Sequence, residues 1–422
     1  MIRDILLTQR RELEQRLQER YVERELDLQH PSHDLIRVVL GPRRAGKSFF
    51  AMRLVQSTGH FGYVNFDDER LTELDDYDAL ITALDALYEQ PRHLLLDEVQ
   101  NLPRWELLVN RLQRQGYRLV VTGSNAHLLS SELATHLTGR HVPIVLFPFT
   151  FVEYLRSLER PLTDQEKAQA LRTYIENGGY PEPLMKGIPH RDYLTTLLRS
   201  ILYKDVVVRH HIRAPQGLED MTTYLMTNVA QRYSLNSLVK VTRLRSVHTV
   251  AKYLRHLEEA FVLFSLRRFS FKVREQARAN RKIYCTDNGM VTSSSFRFSP
   301  DLGKLYENAV AITLRRHEMD GTIECFYWQG SQQEEVDFVV KQGTRIAQLI
   351  QVCIAVDAPK TKARETRALL KASSELGCND LVILTESTEA EEDASWYGTV
   401  GRVRCVPVWK WLLANSTTLE AT

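Results

Sequence analysis

The sequence contains few cysteines, and their arrangement suggests neither disulfides nor a metal site. The 422 residues include five cysteines, and no two of them form a C-x-x-C pair. An odd number of scattered cysteines is typical of free thiols in a reducing compartment. We therefore expect a cytoplasmic protein without disulfides. The five are Cys285, Cys325, Cys353, Cys378 and Cys405.

Long apolar runs and an excess of one charge are absent as well. No run of about 18 apolar residues occurs, so we expect no membrane-spanning segment. The N-terminal sequence MIRDILLTQRRELEQRL carries charges throughout and does not resemble a signal peptide. The net charge is only +2, so charge can indicate a partner only where it is concentrated locally.

The apolar patterns predict an α/β protein with several domains, as the length also suggests. Residues 1–30 are predicted to form an amphipathic helix that packs on the same chain, with docking to another subunit as the alternative. Between residues 31 and 150, apolar strands alternate with helices, which is typical of a parallel sheet with crossover helices. Residues 151–215 are mostly helical and suggest a lid or linker. The helical stripe consists of Leu6, Leu13, Leu17, Tyr21 and Val22.

A phosphate-binding motif follows the first predicted strand. The sequence GPRRAGKS matches G-x-x-x-x-G-K-[ST] between a strand and a helix, which is the context that the motif requires. Two glycines let backbone N–H groups turn towards phosphate oxygens, the lysine reaches the β- and γ-phosphates, and the serine hydroxyl binds Mg²⁺. The predicted ATP-binding residues are Gly41, Pro42, Arg43, Arg44, Ala45, Gly46, Lys47 and Ser48. The two arginines lie near the nucleotide or face solvent.

Two carboxylates end the apolar strand HLLLDE, about fifty residues further on. Asp97 is predicted to hold the magnesium, and Glu98 to polarise the attacking water as a general base. Two acids at a strand end are common, but they are unusual at this place after a P-loop. The second acid is the reason to expect hydrolysis as well as binding.

Two further residues are candidates for catalysis. The strand YRLVVTGSN ends in Ser124 and Asn125, and Asn125 is the preferred residue for orienting the attacking water. For Ser124, a role as the N-cap of the following helix is as good an explanation as a role at the nucleotide site. Arg140 could stabilise charge on the γ-phosphate, either in its own subunit or in a neighbouring one. A surface arginine is the alternative for Arg140.

Residues 216–285 have the pattern of a winged helix: three helical segments, then two strands with a basic connection. Between residues 243 and 282 there are eleven Lys or Arg and three Glu, a local charge of +8. Such concentration is expected of phosphate binding, and we predict a DNA partner, although an acidic protein surface would also fit. The candidate DNA contacts are Arg243, Arg245, Lys252, Arg255, Arg267, Arg268, Lys272 and Arg274.

These motifs, taken in order, resemble a known family. GPRRAGKS, LLLDEVQNLPRWE, VVTGSNAHLL, LTGR and FPFTFVEYL are followed by GGYPEP, LYKDVVVRH and LYENAV…EVDFVV. The chain resembles the large prokaryotic family of AAA-type ATPases that carry a C-terminal domain of restriction-endonuclease-like fold. The resemblance implies an AAA-type ATPase domain at 31–150, a restriction-endonuclease-like domain at 286–422, and a homo-oligomer, such as a ring.

The resemblance also implies a second metal site, in which one residue departs from the nuclease pattern. Glu307 matches the helix acid and Asp337 the strand acid, while Gln351 fits the next strand. Cys353 stands where the pattern has lysine, and a thiol supplies no lasting positive charge. We therefore expect an inactive nuclease-like domain. Lys341 or Lys360 could in principle replace the lysine.

The sequence thus predicts an ATP-hydrolysing protein that uses Mg²⁺ and translocates on or remodels DNA. One alternative is an ATP-regulated nuclease. Another is an ATP-controlled protein-interaction switch that does not involve DNA.

Overall fold

The computed structural model describes residues 2–26, 35–71, 74–124, 140–244, 246–294, 301–356, 358–396 and 398–416. Contacts within the chain divide it into two units. Unit 1 comprises residues 1–148 with 259–261, and unit 2 comprises residues 149–258 with 262–422. The predicted lid, winged-helix and C-terminal regions therefore all contribute mainly to unit 2.

Unit 1 contains a five-stranded parallel sheet in the order β2-β3-β4-β1-β5. Strands β1 to β4 are mostly apolar and buried, as expected for a parallel sheet covered by crossover helices, whereas only Val145 of the edge strand β5 is buried. The carboxyl ends of β1, β3 and β4 lie side by side, where open α/β sheets bind ligands. The strands are β1 (Ile36–Leu40), β2 (Phe61–Asn65), β3 (His93–Asp97), β4 (Arg118–Gly123) and β5 (His141–Val145).

The helices of unit 1 follow the predicted periodicity, and α2 begins at the lysine of the phosphate-binding motif. Within the described residues they are α1 (Ile2–Arg16), α2 (Lys47–Gln56), α3 (Tyr77–Leu87) and α4 (Trp105–Arg114), with single 3₁₀ turns at Glu69–Leu71 and Val99–Asn101.

The N-terminal helix is shorter than predicted, because it ends at Arg16 and not near residue 30. Its buried face packs on the sheet of the same unit, where the Gln9 amide bonds both the N–H (2.9 Å) and the C=O (3.0 Å) of Asn65 on edge strand β2. Residues 17–26 then continue without helix, and Arg24 is buried there. Helical periodicity could not detect the end of α1, because these tertiary contacts decide it.

Unit 2 contains a nine-stranded mixed sheet in the order β13-β14-β12-β11-β10-β9-β7-β8-β6. The strands are β6 (Arg232–Tyr233), β7 (Leu263–Arg268), β8 (Arg281–Cys285), β9 (Glu324–Gln329), β10 (Glu335–Gln342), β11 (Arg345–Val352), β12 (Leu381–Thr385), β13 (Ala390–Trp396) and β14 (Thr399–Pro407).

Helices surround this sheet, and the helical part of unit 2 also includes a π-helix at Ile201–Val208. Among the described residues, every helix of the chain is too short or too polar to span a bilayer. The helices of unit 2 are α5 (Phe151–Ser157), α6 (Asp164–Asn177), α7 (Pro181–Lys186), α8 (His190–Ser200), α9 (Pro215–Thr227), α10 (Leu235–Val241), α11 (Val247–Glu259), α12 (Val273–Arg278), α13 (Asn288–Ser294), α14 (Leu302–Met319), α15 (Pro359–Leu376) and α16 (Val408–Ala414).

The predicted winged-helix region does not have a sheet of its own. Strand β7 pairs in parallel with β9, so β6, β7 and β8 continue the sheet formed by the C-terminal strands. The connection between β7 and β8 contains the short helix α12, where the sequence predicted only a basic loop. Pairing between strands far apart in the sequence cannot be read from local periodicity, which is why this continuity was not predicted.

The buried face of α11 also differs from the prediction. The apolar periodicity of the sequence predicts one face made of Val247, Val250, Leu254 and Leu257, but Val247 is 42% exposed in the first turn of the helix. The same pattern puts Tyr253 and His256 on other faces, yet both are buried. Val250, Tyr253, Leu254 and Leu257 have the i, i+3, i+4, i+7 spacing of a buried stripe, so Tyr253 completes the face in place of Val247.

The GGYPEP motif has a structural role inside unit 2. The N–H of Gly179 donates to Asp287 (2.7 Å), and the N–H of Phe149 donates to the Gly179 carbonyl (2.7 Å). A Cβ at position 179 would lie 2.2 Å from the Phe149 carbonyl oxygen, and one at Gly178 would lie 2.2 Å from the Asp287 carboxylate. Both positions therefore require glycine because other groups of the same unit approach the backbone closely.

Candidate nucleotide-binding site

The phosphate-binding loop connects the carboxyl end of β1 with the first turn of α2. Gly41 and Gly46 have φ angles of 146° and 94°, which residues with a side chain rarely adopt. A Cβ at Gly41 would also lie only 1.9 Å from the carbonyl oxygen of Leu146. Within the loop, Pro42 and Ala45 are buried, Arg43 is half-buried and Arg44 is exposed. The loop thus has the backbone that an anion-binding turn before a helix needs.

Lys47 and Ser48 face the two acids that end β3. The buried Lys47 ammonium donates to the Pro42 carbonyl (3.0 Å) and lies 3.9 Å from Glu98 Oε1. The Ser48 hydroxyl donates to Asp97 Oδ1 at 2.9 Å. The structure therefore brings together the cation, the hydroxyl and the carboxylates that the sequence predicted from motifs about fifty residues apart.

Asp97 is the most buried ionisable group of the site. Its Oδ1 also accepts from the Thr122 hydroxyl (2.5 Å), and its Oδ2 accepts from the Tyr63 hydroxyl (3.3 Å). Burial, followed by the neighbouring charge of Glu98, raises the pKa of Asp97 above its ordinary value. A cation beside Asp97 would favour the ionised form, so these oxygens fit a Mg²⁺ ion bound by Asp97 and Ser48.

Glu98 lies just after β3 in a strained backbone conformation, with φ of 49°. Its N–H donates to Thr122 Oγ1 (2.9 Å), and its carboxylate accepts from the Gln100 amide (2.5 Å). Gln100 also reaches the Ser124 hydroxyl at 3.4 Å, while its own Oε1 is buried without a partner among the described residues. The backbone thus directs Glu98 towards Lys47 and the phosphate-binding loop.

Three polar residues at this site were missed by sequence reasoning. Thr122 lies beside Asp97, because β3 and β4 are parallel neighbours in which the preceding residues, Leu96 and Val121, pair. A parallel pairing of these two strands would therefore have indicated Thr122. Gln100 has no recognisable motif. Arg24 donates from a buried guanidinium to the carbonyls of Ala45 (3.0 Å) and Phe147 (2.5 Å), and thereby fixes the phosphate-binding loop from a segment far upstream.

The two remaining catalytic candidates have different outcomes. Asn125 lies outside the described residues. Arg140 precedes β5, where its carbonyl accepts from the N–H of Ile36 (3.0 Å) at the start of β1. The phosphate-binding loop is at the opposite end of β1, about 15 Å away at 3.3 Å per residue. The parallel register thus places Arg140 at the amino edge of the sheet, away from the phosphate-binding loop of its own subunit.

Comparison with known proteins agrees with this geometry. The model of a family described as an AAA domain matches residues 33–155. Residues 168–300 and 302–410 match two domains of unknown function, DUF8612 and DUF4143. The sheet, the phosphate-binding loop and the paired acids are thus those of a P-loop ATPase domain of the AAA class.

The whole chain has close relatives as well. It is 30% identical over 397 residues to "Uncharacterized protein MJ1544" of Methanocaldococcus jannaschii, covering 90% of this chain and 88% of that protein. The chain belongs to the family of this protein. An uncharacterized protein of Haemophilus influenzae is 27% identical over 362 residues, covering 81% of this chain and 88% of the relative.

Among solved structures, the chain is similar to "The walker-type atpase paby2304 of pyrococcus abyssi". The likeness covers 67% of this chain and 95% of that chain, at 14% identity and a TM-score of 0.41. A likeness at this level carries no weight for function.

The predicted DNA contacts fall into an exposed group and a packed one. Lys252 and Arg255 are exposed on α11, and Arg243, Arg267, Lys272 and Arg274 are also exposed. Some of these have acidic neighbours: Arg243 lies 3.7 Å from Asp220, and Lys272 lies 3.0 Å from Glu275. Arg268 is half-buried and donates to the Gln329 carbonyl (2.7 Å). Arg245 lies outside the described residues.

The predicted second metal site contains a lysine that the sequence did not indicate. Glu307 on α14 and Asp337 on β10 do lie together, but both bond the buried ammonium of Lys282 from β8. Glu335, two residues before Asp337, forms ion pairs with the same ammonium (2.9 Å) and with Arg232 (3.3 Å). The sequence indicated Lys282 only as one of the basic residues between positions 243 and 282. Because it is buried, it does not contribute to the positive charge that this stretch presents at the surface.

Neither Lys341 nor Lys360 replaces the missing lysine of the nuclease pattern. Lys341 pairs with Glu324 on the neighbouring strand, and Lys360 is exposed at the start of α15. Gln351 accepts from the N–H of Asp337 (3.2 Å), as its place on the adjacent strand allows. Cys353 belongs to the apolar core of the sheet, where burial raises the pKa of its thiol, so it is a packing residue.

Proposed function

We propose that this protein hydrolyses ATP at the β1–α2 loop and uses the nucleotide cycle to act on DNA. The observation that carries the ATPase proposal is the meeting of Ser48 with Asp97 and of Lys47 with Glu98 at one edge of the sheet. Binding alone would need the loop and its lysine. Hydrolysis also requires a group that accepts a proton from the attacking water, and the second carboxylate, Glu98, lies beside the lysine.

Each residue has a defined task in the proposed reaction. The loop N–H groups and Lys47 bind the β- and γ-phosphates, and in doing so Lys47 exchanges the Pro42 carbonyl for phosphate oxygens. Ser48 and Asp97 would hold Mg²⁺, which neutralises charge on the phosphate oxygens when bound. Glu98 accepts a proton from the attacking water, with Gln100 orienting its carboxylate.

Substitution of Glu98 tests this proposal. Glu98→Gln keeps the shape and should lower kcat on the order of 10² to 10⁴-fold, while the Kd for ATP measured by calorimetry stays within about threefold. Glu12→Gln, which alters an exposed acid of α1, is the control and should match the wild type. Lys47→Ala should weaken ATP binding itself. A Glu98→Gln protein with the wild-type rate would show that another group is the base.

The proposal that the substrate is DNA is supported by the exposed basic residues around α11. Residues 215–285 follow the order helix, short strand, helix, helix, strand, short helix and strand. Apart from the short helix α12, this is the order of a winged helix, in which α11 would read the groove. Lys252 and Arg255 lie on the exposed side of α11. Near the β7–β8 connection, Lys272 is 78% exposed, as a phosphate contact must be.

Salt dependence distinguishes DNA binding from protein binding. Fluorescence anisotropy with duplex, single-stranded and four-way-junction DNA should give a Kd that rises steeply with salt. Lys252→Ala with Arg255→Ala should reduce the slope of log K against log salt by about 2. Lys360→Ala with Arg367→Ala removes two exposed charges on α15 and should leave the slope unchanged. Salt-independent or undetectable binding in every nucleotide state would favour the protein-interaction alternative.

We also propose that the active form is an oligomer in which Arg140 acts on a neighbouring subunit. Its exposure and its distance from the phosphate-binding loop of its own subunit support this role. Native mass spectrometry with ATP should detect the oligomer. Mixing Arg140→Ala chains with Glu98→Gln chains should restore some activity, because a mixed interface pairs one intact Glu98 with one intact Arg140. Absence of any activity in the mixture, with oligomers present, would count against this role.

A further inference from the structure

A buried ion cluster in unit 2 joins one lysine to three carboxylates. The Lys282 ammonium lies 2.6 Å from Glu307 Oε1, 2.9 Å from Glu335 Oε1 and 2.9 Å from Asp337 Oδ1. The side chain of Lys282 is only 2% exposed. Lysine is rarely buried to this extent unless it is paired, and here the ammonium donates to Glu307 and Asp337 and forms an ion pair with Glu335.

The carboxylates have further partners that fix their positions. The Tyr284 hydroxyl donates to Glu307 Oε1 (2.7 Å), and the N–H of Val352 donates to Asp337 Oδ2 (3.0 Å). The lysine comes from β8, while its acceptors come from α14 and β10. The cluster therefore connects three elements that are distant in the sequence.

The charges in the cluster strengthen the bond to the lysine. Burial alone would lower the pKa of Lys282, but the carboxylates of Asp337 and Glu307 outweigh it and hold that pKa well above its ordinary value. Burial, followed by the charge of Asp337, raises the pKa of Glu307 to about 7. Without Lys282, the buried carboxylates of Glu307 and Asp337 would face each other without this ammonium, which is strongly unfavourable. Glu335 is half-buried and also pairs with Arg232 at 3.3 Å.

Three carboxylates that converge on one point are otherwise a ligand set for a divalent cation. Here the point is held by a nitrogen atom at the distances of charge-assisted N–H···O bonds. Mg²⁺ requires oxygen atoms about 2.0–2.1 Å away in an octahedron, so it could bind there only if the ammonium left. The residues present therefore do not fit a metal ion at the site that the nuclease pattern implies.

We propose that Lys282 is a permanent internal cation that takes the place of a divalent metal between Glu307, Glu335 and Asp337. In this role it fastens β8 to the C-terminal strands and makes the acidic cluster a structural element instead of a nuclease centre. The proposal is independent of the proposed ATPase and DNA functions.

Metal titration of the full chain without nucleotide tests the proposal. Mn²⁺ binding is followed by electron paramagnetic resonance in the wild type and in Asp337→Asn, Lys282→Met and Lys282→Met with Asp337→Asn. We expect Asp337→Asn to leave Mn²⁺ binding by the wild type unchanged. Lys282→Met should gain one Mn²⁺ site, on the order of tenfold or more tighter than any in the wild type, because buried carboxylates without a cation bind one strongly. The double variant should lose that site.

Matched controls keep the outcome clear. Lys341→Met removes a lysine paired with Glu324 in the same sheet and should gain no Mn²⁺ site. One wild-type Mn²⁺ site that disappears in Asp337→Asn would overturn the proposal. A folded Lys282→Met protein that gains no site would also overturn it.

A second measurement does not depend on the folding of any variant. In the wild type, acetylation by a lysine-directed reagent, mapped by mass spectrometry, should leave Lys282 unmodified while exposed lysines such as Lys360 react. Millimolar Mn²⁺ should not change this protection. Metal-dependent labelling of Lys282 would mean that the ammonium is displaced, and the proposal would be wrong.

Discussion

Arg24 provides a strict test of how the phosphate-binding loop is held. Its buried guanidinium donates to the carbonyls of Ala45 in the loop (3.0 Å) and Phe147 after β5 (2.5 Å). Hydrogen bonds that involve a charged group contribute about 1.5 to 3 kcal/mol each. Arg24→Ala removes both and leaves two buried carbonyls without this donor. We expect the free energy of unfolding of unit 1 to fall by about 3 kcal/mol or more.

The assay combines calorimetric melting with nucleotide binding. For a unit of this size, about 3 kcal/mol corresponds to a decrease in Tm of about 6 to 12 °C. ATP affinity should also fall, because the loop loses the contact that holds its backbone in place before the phosphates bind. Arg24→Lys should rescue only part of both effects, since one ammonium lacks the planar fork that reaches two carbonyls.

Arg11→Ala is the control, because Arg11 is an exposed arginine in the same N-terminal segment. It should change neither Tm nor ATP affinity measurably. If Arg24→Ala melts within about 2 °C of the wild type and binds ATP equally well, then the two hydrogen bonds do not stabilise the loop. The role assigned to Arg24 would then be incorrect.

Two further predictions concern the packing around the GGYPEP motif. Gly179→Ala places a Cβ 2.2 Å from the Phe149 carbonyl oxygen, so denaturant unfolding should show a loss of about 2 to 4 kcal/mol; Gly303→Ala, with its nearest neighbour at 3.6 Å, should be neutral or slightly stabilising. Burial raises the pKa of Asp287 to about 6 despite the backbone N–H groups that it accepts. Since the folded pKa exceeds the unfolded one, the contribution of Asp287 to stability is complete below about pH 4 and lost as pH rises through 6. Asp287→Asn should remove about 3 kcal/mol of this pH dependence, and an identical profile in both proteins would contradict the assignment.

The position of the candidate nucleotide site could be predicted from the sequence because its parts are local. Gly41 to Ser48 need only a strand before them and a helix after them, and Asp97 with Glu98 needs only an apolar strand that ends there. The backbone geometry of such short segments is decided mainly by neighbours in the sequence.

The same is true of strands β1 to β4 of unit 1 and the helices between them, which follow from the apolar periodicity, whereas β5 was not predicted. For the amphipathic helices, the sequence predicted the type of element better than its bounds. The helix at the N-terminus ended about fourteen residues earlier than predicted, and the apolar face of α11 included Tyr253 and not Val247.

Tertiary structure decided every contact between distant residues. Arg24 looked like one more charge in a polar segment, Thr122 like a strand residue, and Lys282 like part of a basic surface. Their roles depend on carbonyls and carboxylates that lie 21 to 123 positions away along the chain. A charged side chain has the same local pattern whether it meets water or a buried partner, and only packing determines which of the two it meets.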